Sequence, residues 1–359
     1  MNRLRHALLA LSLAAALPAL AGEPALHVVA ETRDSVWNAV AIDDASRVYV
    51  AGPRWTGSRG PSVAAVDAEG RARPWPDAAW NSTDASVPVE RRFVNVNAIH
   101  RDPRGGLWIV DTGVDGFGGS VIPGAAKLVR VDLASGRVDR VIPLPADIAR
   151  THSYVDDIRF HGDHAYLTDA GDPGLIVLDL TTGKARRVLD GTRFTTASDR
   201  DIVLGGQVVR APDGSALRVN ADPLEVSPDG RWFYFASLEG PWWRIETRYL
   251  DDASLPSKAL EAHVEPWLDL PPVGGTTMDG KGNLYFTDLA TDSLRRATPD
   301  GHIDTILTDA RLHWVDAPAF DAQGRLFLPV PQMDRVALFQ HGKATTQWPV
   351  RVYRLDVPR

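Results

Sequence analysis

A short module that occurs six times is the feature that most constrains the fold of this chain. Each copy opens with a small or polar residue, continues with alternating apolar residues, turns at Asp, Ser or Gly, and ends in an aromatic-rich stretch. In five copies the opening residue lies 11 positions before the aromatic residue, and in one copy it lies 10 positions before it. The copies are spaced 59, 59, 66, 52 and 42 residues apart and open at Asn38, Asn97, Asp156, Asp222, Gly274 and Asp316. A supersecondary unit repeated in this way indicates a closed or stacked repeat architecture.

Each module predicts a β-hairpin, because apolar residues alternate with period two on both sides of its turn. Two more strands follow the hairpin in the clearest copies. After Trp108 they occupy residues 127–133 and 138–142, and after Tyr166 they occupy residues 174–180 and 185–189. The sequence therefore predicts an all-β fold, a six-bladed β-propeller with four-stranded antiparallel blades. Two separate β-sandwiches are the alternative, although no linker-like stretch divides the repeats.

The two ends of the repeat array predict how the ring closes. The first module has little sheet before it, and the last has two further apolar stretches after it. We expect residues 26–30 to pair with the strands of the final blade, which would seal the ring by backbone hydrogen bonds.

The first 21 residues predict a cleavable secretory signal, which leaves residues 22–359 as a single propeller domain. Basic residues precede an apolar run at residues 7–17, and a small-residue Ala-Leu-Ala end follows at residues 19–21. The run is too short to span a bilayer core of about 30 Å, and no other stretch reaches the length of a membrane-spanning helix. A buried N-terminal helix is the alternative interpretation. We therefore expect a periplasmic or secreted protein without a membrane span.

Composition removes several classes of function. The chain has no cysteine, which excludes thiol nucleophiles, thiolate metal sites and disulfide bonds. Its net charge of −7 argues against a nucleic-acid partner, because phosphate binding requires a basic patch. There is no Gly-x-Ser-x-Gly elbow, Walker-type loop or His-Glu-x-x-His pair. We expect a monomer that binds a small molecule through oxygen and imidazole groups.

The module openings predict where such a site lies. In a propeller the innermost strands line a central channel, so their first residues should meet around one mouth. The predicted ligand-binding residues are Asn38, Asn97, Tyr154, Asp156, Asp222, Trp314 and Asp316. The carboxylates among them suit a hard cation or an ammonium group, because close carboxylates otherwise repel one another and take up protons. Capping of strand ends and turns by Asn and Asp is the alternative for each single position.

Two further roles follow from this ring of oxygen-bearing residues. Asp156, Asp222 and Asp316 are the candidate ligands if a Ca²⁺ or another divalent cation is bound, although the sequence does not fix a cofactor. His152 and Asp157 are the candidate catalytic bases, because both lie next to the third module opening.

Several segments in order resemble the major royal jelly protein and Yellow family. They are residues 60–64 (GPSVA), 73–76 (RPWP), 106–113 (GLWIVDTG), 153–158 (SYVDDI), 165–171 (AYLTDAG) and 227–230 (SPDG). The resemblance covers residues 60–255 and implies a secreted six-bladed propeller that converts dopachrome or binds small aromatic amines in its channel. The lack of cysteine departs from the animal members and suggests a bacterial relative.

A wider resemblance is to the gluconolactonase-like propellers, which implies a metal-dependent lactonase as the alternative function. Their metal ligands would fall near Asn38, Asp222 and Gly274, and glycine offers no side chain. Asp156, Asp157 or Asp316 would then have to substitute. A third possibility is a scaffold that uses outer loops, such as residues 117–122 or 75–80, for protein contacts.

Overall fold

The computed structural model of the chain describes residues 25–357. Within that range the strands form six four-stranded antiparallel sheets, a two-stranded hairpin and few helical turns. The predicted six-bladed β-propeller with four-stranded antiparallel blades is confirmed. No helix within residues 25–357 combines the length and apolar character needed to cross a membrane. The predicted secretory signal at residues 1–21 lies outside the described residues.

The first three blades follow one another along the chain after strand β1, His27–Thr32. Blade 1 contains β2–β5, at Ala39–Ile42, Val48–Ala51, Val63–Val66 and Ala72–Pro74. Blade 2 contains β6–β9, at Val96–Arg101, Gly106–Asp111, Lys127–Asp132 and Arg137–Pro143. Blade 3 contains β10–β13, at Val155–His161, His164–Asp169, Gly174–Asp179 and Ala185–Val188.

The remaining blades carry the few helical turns. A small hairpin, β14–β15, at Val203–Leu204 and Gln207–Val208, precedes blade 4. Blade 4 contains β16–β19, at Ala221–Val226, Trp232–Ser237, Trp243–Glu246 and Glu265–Pro266. Blade 5 contains β20–β23, at Val273–Met278, Leu284–Asp288, Ser293–Ala297 and Ile303–Thr308. Blade 6 contains β24–β26, at Ala319–Phe320, Arg325–Val330 and Val350–Asp356, together with β1. Helices α1 and α2 span Thr247–Asp251 and Ser257–Leu260, and 3₁₀ turns span Arg54–Thr56, Val89–Arg91, Glu261–His263, Ala310–Leu312, Met333–Arg335 and Ala337–Phe339.

The hydrophobic core lies between the blades. Six apolar clusters each join the facing sides of two neighbouring blades, including blades 6 and 1. The aromatic residue that recurs in each module is buried in these clusters, as Tyr49, Trp108, Tyr166, Phe233, Tyr285 and Phe327. Each large ring fills the space between two sheets. An aromatic residue therefore recurs in the sequence because each blade packs on its neighbour.

The ring closes through β1, as predicted from the ends of the chain. β1 pairs antiparallel with β26, with Ala30 opposite Val352, and the sheet order of blade 6 is β1-β26-β25-β24. The N-terminal strand is thus the outer strand of the last blade. Val350, Val352 and Leu355 of β26 are fully buried, so this strand joins both chain ends and supplies core side chains.

Deleting residues 350–359 should therefore lower the melting temperature sharply. The deletion removes every hydrogen bond between β1 and the rest of blade 6, and it leaves buried side chains of blades 1 and 5 exposed. We expect a fall of more than about 10 °C in a circular dichroism melt, because a loss of several kcal/mol shifts a protein of this size by that much. Truncation after Asp356 keeps β26 and is the matched control. An unchanged melting curve in the longer deletion would contradict this closure.

Candidate functional site

β-Bulges aim the module-opening residues at one mouth of the central channel. The ladder between the two innermost strands is interrupted at the opening residue in four blades, around Asn97, Asp156, Asp222 and Gly274. A bulge turns one side chain away from the regular alternation of its strand, which is why bulges recur beside binding sites. The openings of the remaining two modules, Asn38 and Asp316, lie just before their strands.

These residues surround a small pocket with an acidic floor and an apolar wall. Its lining combines three carboxyl groups, one amide and five aromatic rings, with no Lys, Arg or His side chain. The lining residues are Trp55, Asn97, Phe117, Tyr154, Asp156, Leu217, Val219, Asp222, Leu238, Gly274, Trp314, Asp316, Met333 and Phe339. The cavity has a volume of about 60 Å³, which is room for an ammonium group and a few waters rather than for an aromatic ring.

A chain of hydrogen bonds fixes one side of the floor. The indole nitrogen of Trp55 donates to the Tyr154 hydroxyl (2.9 Å), and this hydroxyl donates to the Asn97 side-chain oxygen (2.8 Å). The Asn97 amide then donates to Asp156. Behind it, the Asn38 amide donates to the Asn97 backbone carbonyl (2.8 Å). Because the Asn97 side-chain oxygen accepts from Tyr154 and the Asn97 amide nitrogen donates to Asp156, the orientation of this amide is determined.

The floor carboxyls are strongly perturbed. Burial, together with repulsion by the neighbouring carboxylates, raises the pKa of Asp156 and of Asp222 well above the usual range. Each of these two carboxyl groups is among the causes of the pKa shift of the other. Burial raises the pKa of Asp316 to about 7, although the backbone N–H of Ala317 opposes the shift. These carboxyl groups therefore take up protons near neutral pH unless a cation lies beside them.

Glu239 adds a fourth carboxyl directly behind the wall. It is fully buried, one of its oxygens accepts from the Val219 backbone N–H (2.8 Å), and the other has no hydrogen-bond partner within the described residues. Burial raises the pKa of Glu239 to about 7, and its charge in turn raises the pKa of Asp222. Negative charge is thus disfavoured at this mouth unless a cation compensates it.

An aromatic cluster covers the floor. Trp55, Phe117, Tyr154 and Phe339 contact one another, with ring centroids between 5.1 and 6.2 Å apart. Trp55, Phe117 and Phe339 come from the long connections between the second and third strands of blades 1, 2 and 6. Aromatic faces attract cations, so the cover and the floor favour the same kind of ligand.

The structure brings most of the predicted site residues together. Six of the seven predicted ligand-binding residues line the pocket: Asn97, Tyr154, Asp156, Asp222, Trp314 and Asp316. The seventh, Asn38, is buried behind Asn97 and contacts the pocket only through it.

The two predicted bases lie outside the pocket lining. His152 is exposed on the loop before Tyr154, with no pocket contact. Asp157 forms an ion pair with Arg159 (2.6 Å) and accepts from the Ile158 N–H (2.7 Å). Arg159 also pairs with Glu225 of blade 4 (2.9 Å). Asp157 thus belongs to a buried charge network beneath the floor, since the bulge turns Asp156 rather than Asp157 into the pocket.

The candidate metal ligands Asp156, Asp222 and Asp316 stay a prediction. Within residues 25–357, no three His, Asp or Glu side chains are arranged so that they could hold a metal ion. At Gly274, where the gluconolactonase-like pattern has a ligand, a Cβ atom would lie 2.2 Å from the Val315 backbone oxygen. The close approach of blades 5 and 6 therefore excludes any side chain at that position.

Several pocket residues were not predicted from the sequence. Leu217, Val219 and Leu238 form the aliphatic wall, Met333 and Phe339 belong to the connection after β25, and Glu239 follows β17. One signal was present: the longest connections between second and third strands each carry an aromatic residue. The periodic pattern of the strands says nothing about where such connections fold.

The Asp residues that end the second strands have a structural role. Asp111 accepts from the N–H groups of Val94 and Asn95 (2.9 and 2.8 Å) and pairs with the buried Lys127 (2.6 Å). Asp169 likewise accepts from the Tyr154 N–H (2.8 Å). These carboxylates hold the segments that lead into Asn97 and Tyr154, and so position the pocket from behind.

Comparison with known proteins identifies the family. Residues 94–307, more than half of the chain, match the family described as major royal jelly protein. The chain belongs to the major royal jelly protein family. No curated protein matches it in sequence.

Solved structures share the fold of this family member. A putative gluconolactonase is 13% identical, with 94% of this chain and 93% of that chain covered and a TM-score of 0.55. A luciferin-regenerating enzyme is 11% identical, with 92% and 95% covered and a TM-score of 0.55. Virginiamycin B lyase from Staphylococcus aureus is 12% identical, with 94% and 100% covered and a TM-score of 0.52. At these identities the likeness concerns the fold alone.

Proposed function

We propose that this major royal jelly family propeller binds a small primary amine, with an attached ring, at the acidic mouth of its channel. One observation carries the proposal: three carboxyl groups converge on a pocket that contains no cationic side chain. Buried carboxyls in this arrangement must either hold protons or bind a cation. A protonated amine replaces those protons, and its positive charge compensates the negative charge of the carboxylates.

The dimensions and donors of the floor favour a primary ammonium over other cations. The whole cavity, with a volume of about 60 Å³, admits an –NH₃⁺ group more readily than the larger trimethylammonium group. A primary ammonium also has three N–H donors, one each for Asp156, Asp222 and Asp316, whereas a quaternary ammonium has none. The ring of the ligand would then lie among Trp55, Phe117 and Phe339, which must shift to admit it.

Calorimetric titration with 2-phenylethylamine tests this proposal. We expect measurable heat and micromolar to millimolar affinity for the primary amine, because a charge-assisted hydrogen bond contributes about 1.5–3 kcal/mol. The N,N,N-trimethyl derivative should bind at least about tenfold more weakly, since it forms none of these bonds. Phenylacetate, with the same ring and opposite charge, is the control and should give no heat. Equal affinities for all three compounds would reject an acidic ammonium site.

A proton-transfer activity, a tautomerisation of the bound ligand, is a second candidate at the same pocket. Asp316 favours it, because this carboxyl lines the pocket and has a pKa of about 7, which suits a general base at neutral pH. It replaces His152 and Asp157 as the proposed base, given their positions outside the pocket. Asp316→Asn should then abolish conversion of an aminochrome such as dopachrome, followed by absorbance, while a His152→Asn variant keeps its rate.

The metal-dependent lactonase has less support. Gly274 cannot provide a ligand, and the three floor carboxyls do not form a metal-holding group. Elemental analysis of the purified protein, together with lactone hydrolysis before and after chelator treatment, tests this alternative directly.

We also propose that the protein is exported and acts as a monomer. The support for export is the basic, apolar and small-residue succession over residues 1–21. N-terminal sequencing of protein from the periplasm or medium should begin at Gly22. Light scattering after gel filtration should give a mass near 37 kDa, the mass of about 338 residues at roughly 110 Da each.

A further inference from the structure

His313 lies between two carboxylates from different parts of the fold. Its Nδ1 is 3.1 Å from Asp292, in the turn between β21 and β22, and its Nε2 is 3.0 Å from Asp334, in the 3₁₀ turn after β25. The imidazole is nearly buried, with 10% of the side chain exposed. One ring therefore connects blade 5 with the long connection of blade 6.

This geometry requires both ring nitrogens to be donors. A neutral imidazole has one N–H and one acceptor nitrogen, and a carboxylate can only accept. With a carboxylate oxygen at hydrogen-bonding distance from each nitrogen, the ring is satisfied only as the imidazolium. The arrangement is thus a pair of charge-assisted hydrogen bonds through one cation.

Two members of this arrangement, His313 and Asp334, are adjacent in sequence to residues that line the pocket. Trp314, next to His313, lines the pocket wall, and so does Met333, next to Asp334. Phe339, which covers the floor, follows in the same connection. A change in the His313 contacts would consequently move the wall and the cover together.

Backbone strain is concentrated at the same place. Within the described part of the chain, six non-glycine residues have a φ in the left-handed region. Three of them belong to or adjoin the His313 arrangement: Asp292 (φ 49°), Trp314 (φ 51°) and Gln332 (φ 57°). Such conformations are uncommon for Trp and Gln and less so for Asp, and they persist where surrounding contacts enforce them.

We propose that His313 is a positioning residue of the pocket: its imidazolium holds Trp314 and the Met333–Phe339 segment in place, and loss of its proton releases them. The functional meaning of this inference rests on the proposed amine site. The contacts of His313 with Asp292 and Asp334, called the clamp from here on, do not depend on that site. Acidic conditions would keep the wall fixed, and alkaline conditions would loosen it.

Other charged groups near His313 do not compete for this role. The cleft on its outer side also contains Arg311, Arg335 and Arg351. Arg311 pairs with Asp309, Arg351 pairs with Glu31, and Arg335 donates to the Gln332 side chain. Guanidinium groups keep their charge across the accessible pH range. Within residues 25–357, none of these three guanidinium groups bonds to the side chain of Asp292 or Asp334, so His313 alone joins the two carboxylates.

Selective ¹⁵N-histidine NMR and hydrogen exchange test the clamp without any ligand. At pH 6 we expect both nitrogens of His313 to have protonated shifts. In His313→Asn, amides of residues 332–341 should exchange at least about tenfold faster than in the wild type. His302→Asn is the matched control, because His302 contacts a single carboxylate on the exposed surface. Asp334→Asn serves as a second variant that keeps the histidine and one carboxylate, with a smaller increase in exchange.

Titration with 2-phenylethylamine then connects the clamp to the pocket. We expect about tenfold weaker binding in His313→Asn than in the wild type at pH 6, because only a fraction of the variant has the wall in place. A neutral His313 at pH 6, or equal exchange in the His313 and His302 variants, would overturn the clamp. Failure of the wild type to bind the amine would reject the proposed function and leave the NMR and exchange results as the test of the clamp.

Discussion

Replacing Asp222 with Asn should produce a more stable protein that binds an amine far more weakly. Asp222 lies on the pocket floor beside Asp156, Asp316 and the buried Glu239, and repulsion among these groups adds to its desolvation. An amide of the same shape removes the charge and can still hydrogen-bond to Asp156. The substitution thus removes an unfavourable interaction that the empty folded protein carries.

The expected gain in stability follows from the direction of the pKa shift. A carboxyl whose pKa is raised on folding destabilises the folded state above its unfolded pKa, because folding must take up a proton or bury a charge. The raised pKa of Asp222 therefore predicts a higher free energy of unfolding for Asp222→Asn than for the wild type at neutral pH. For a protein of this size the melting temperature should rise by several degrees.

The same substitution should weaken binding of the amine although it stabilises the protein. Asp222→Asn removes one of three carboxylates that would face the ammonium group, and a charged hydrogen bond contributes about 1.5–3 kcal/mol, or roughly 10- to 100-fold in affinity. Asp163→Asn is the matched control, because Asp163 lies exposed in the β10–β11 turn, in an ion pair with Arg104. Melting curves of both variants test the expected stability, and calorimetric titrations with the amine test the expected affinity. A less stable Asp222 variant with unchanged binding would assign Asp222 a purely structural role.

Amine binding should release protons and strengthen as the pH rises from about 5 to 7. The empty floor holds protons on Asp316, with a pKa of about 7, and on the Asp156–Asp222 pair. An ammonium ion favours the ionised carboxylates, so its binding must displace these protons. Calorimetry at pH 6.5 in buffers with different ionisation enthalpies should show release of about one proton or more per amine bound.

The stability of the empty protein should show the complementary trend. Folding raises the pKa of Asp316 from 3.8 to about 7. Between these two pH values, Asp316 therefore binds more protons in the folded state than in the unfolded chain. The contribution of Asp316 to the free energy of unfolding therefore falls as the pH rises from 3.8 to about 7, by up to about 1.4 kcal/mol per pH unit. Other groups also titrate, so the relevant quantity is the difference between wild type and Asp316→Asn. That difference should be near zero at pH 4 and favour the variant at pH 8; a constant difference would exclude proton uptake by Asp316.

Much of the fold was predictable because the constraint is periodic. The alternation around Trp108 and Tyr166 predicts hairpins, and the constant distance from module opening to aromatic residue predicts one blade per copy. The large rings must be buried between sheets, so their recurrence in the sequence is a direct consequence of blade packing. Closure by β1 was predicted from the ends of the array, and in the structure β1 supplies the fourth strand of the last blade.

The floor of the site was predictable, but which of two adjacent aspartates lines it was not. Asp156 and Asp157 are adjacent in sequence, yet one lines the pocket and the other pairs with Arg159, because a β-bulge at this point breaks the regular alternation. In the sequence, Gly274 is interpreted as a missing ligand. In the structure, the backbone of blade 6 leaves no space for a side chain at this position.

The sequence by itself determined the propeller, the number of blades and the acidic residues that meet at one mouth. These properties depend on local periodicity and on the position of each residue within its module. Only the tertiary structure decided which carboxyls face the pocket, which aromatic residues cover it, and that His313 joins Asp292 to Asp334. Those features depend on bulges and on long connections that pack against other blades, and such contacts between distant segments have no periodic signal in the chain.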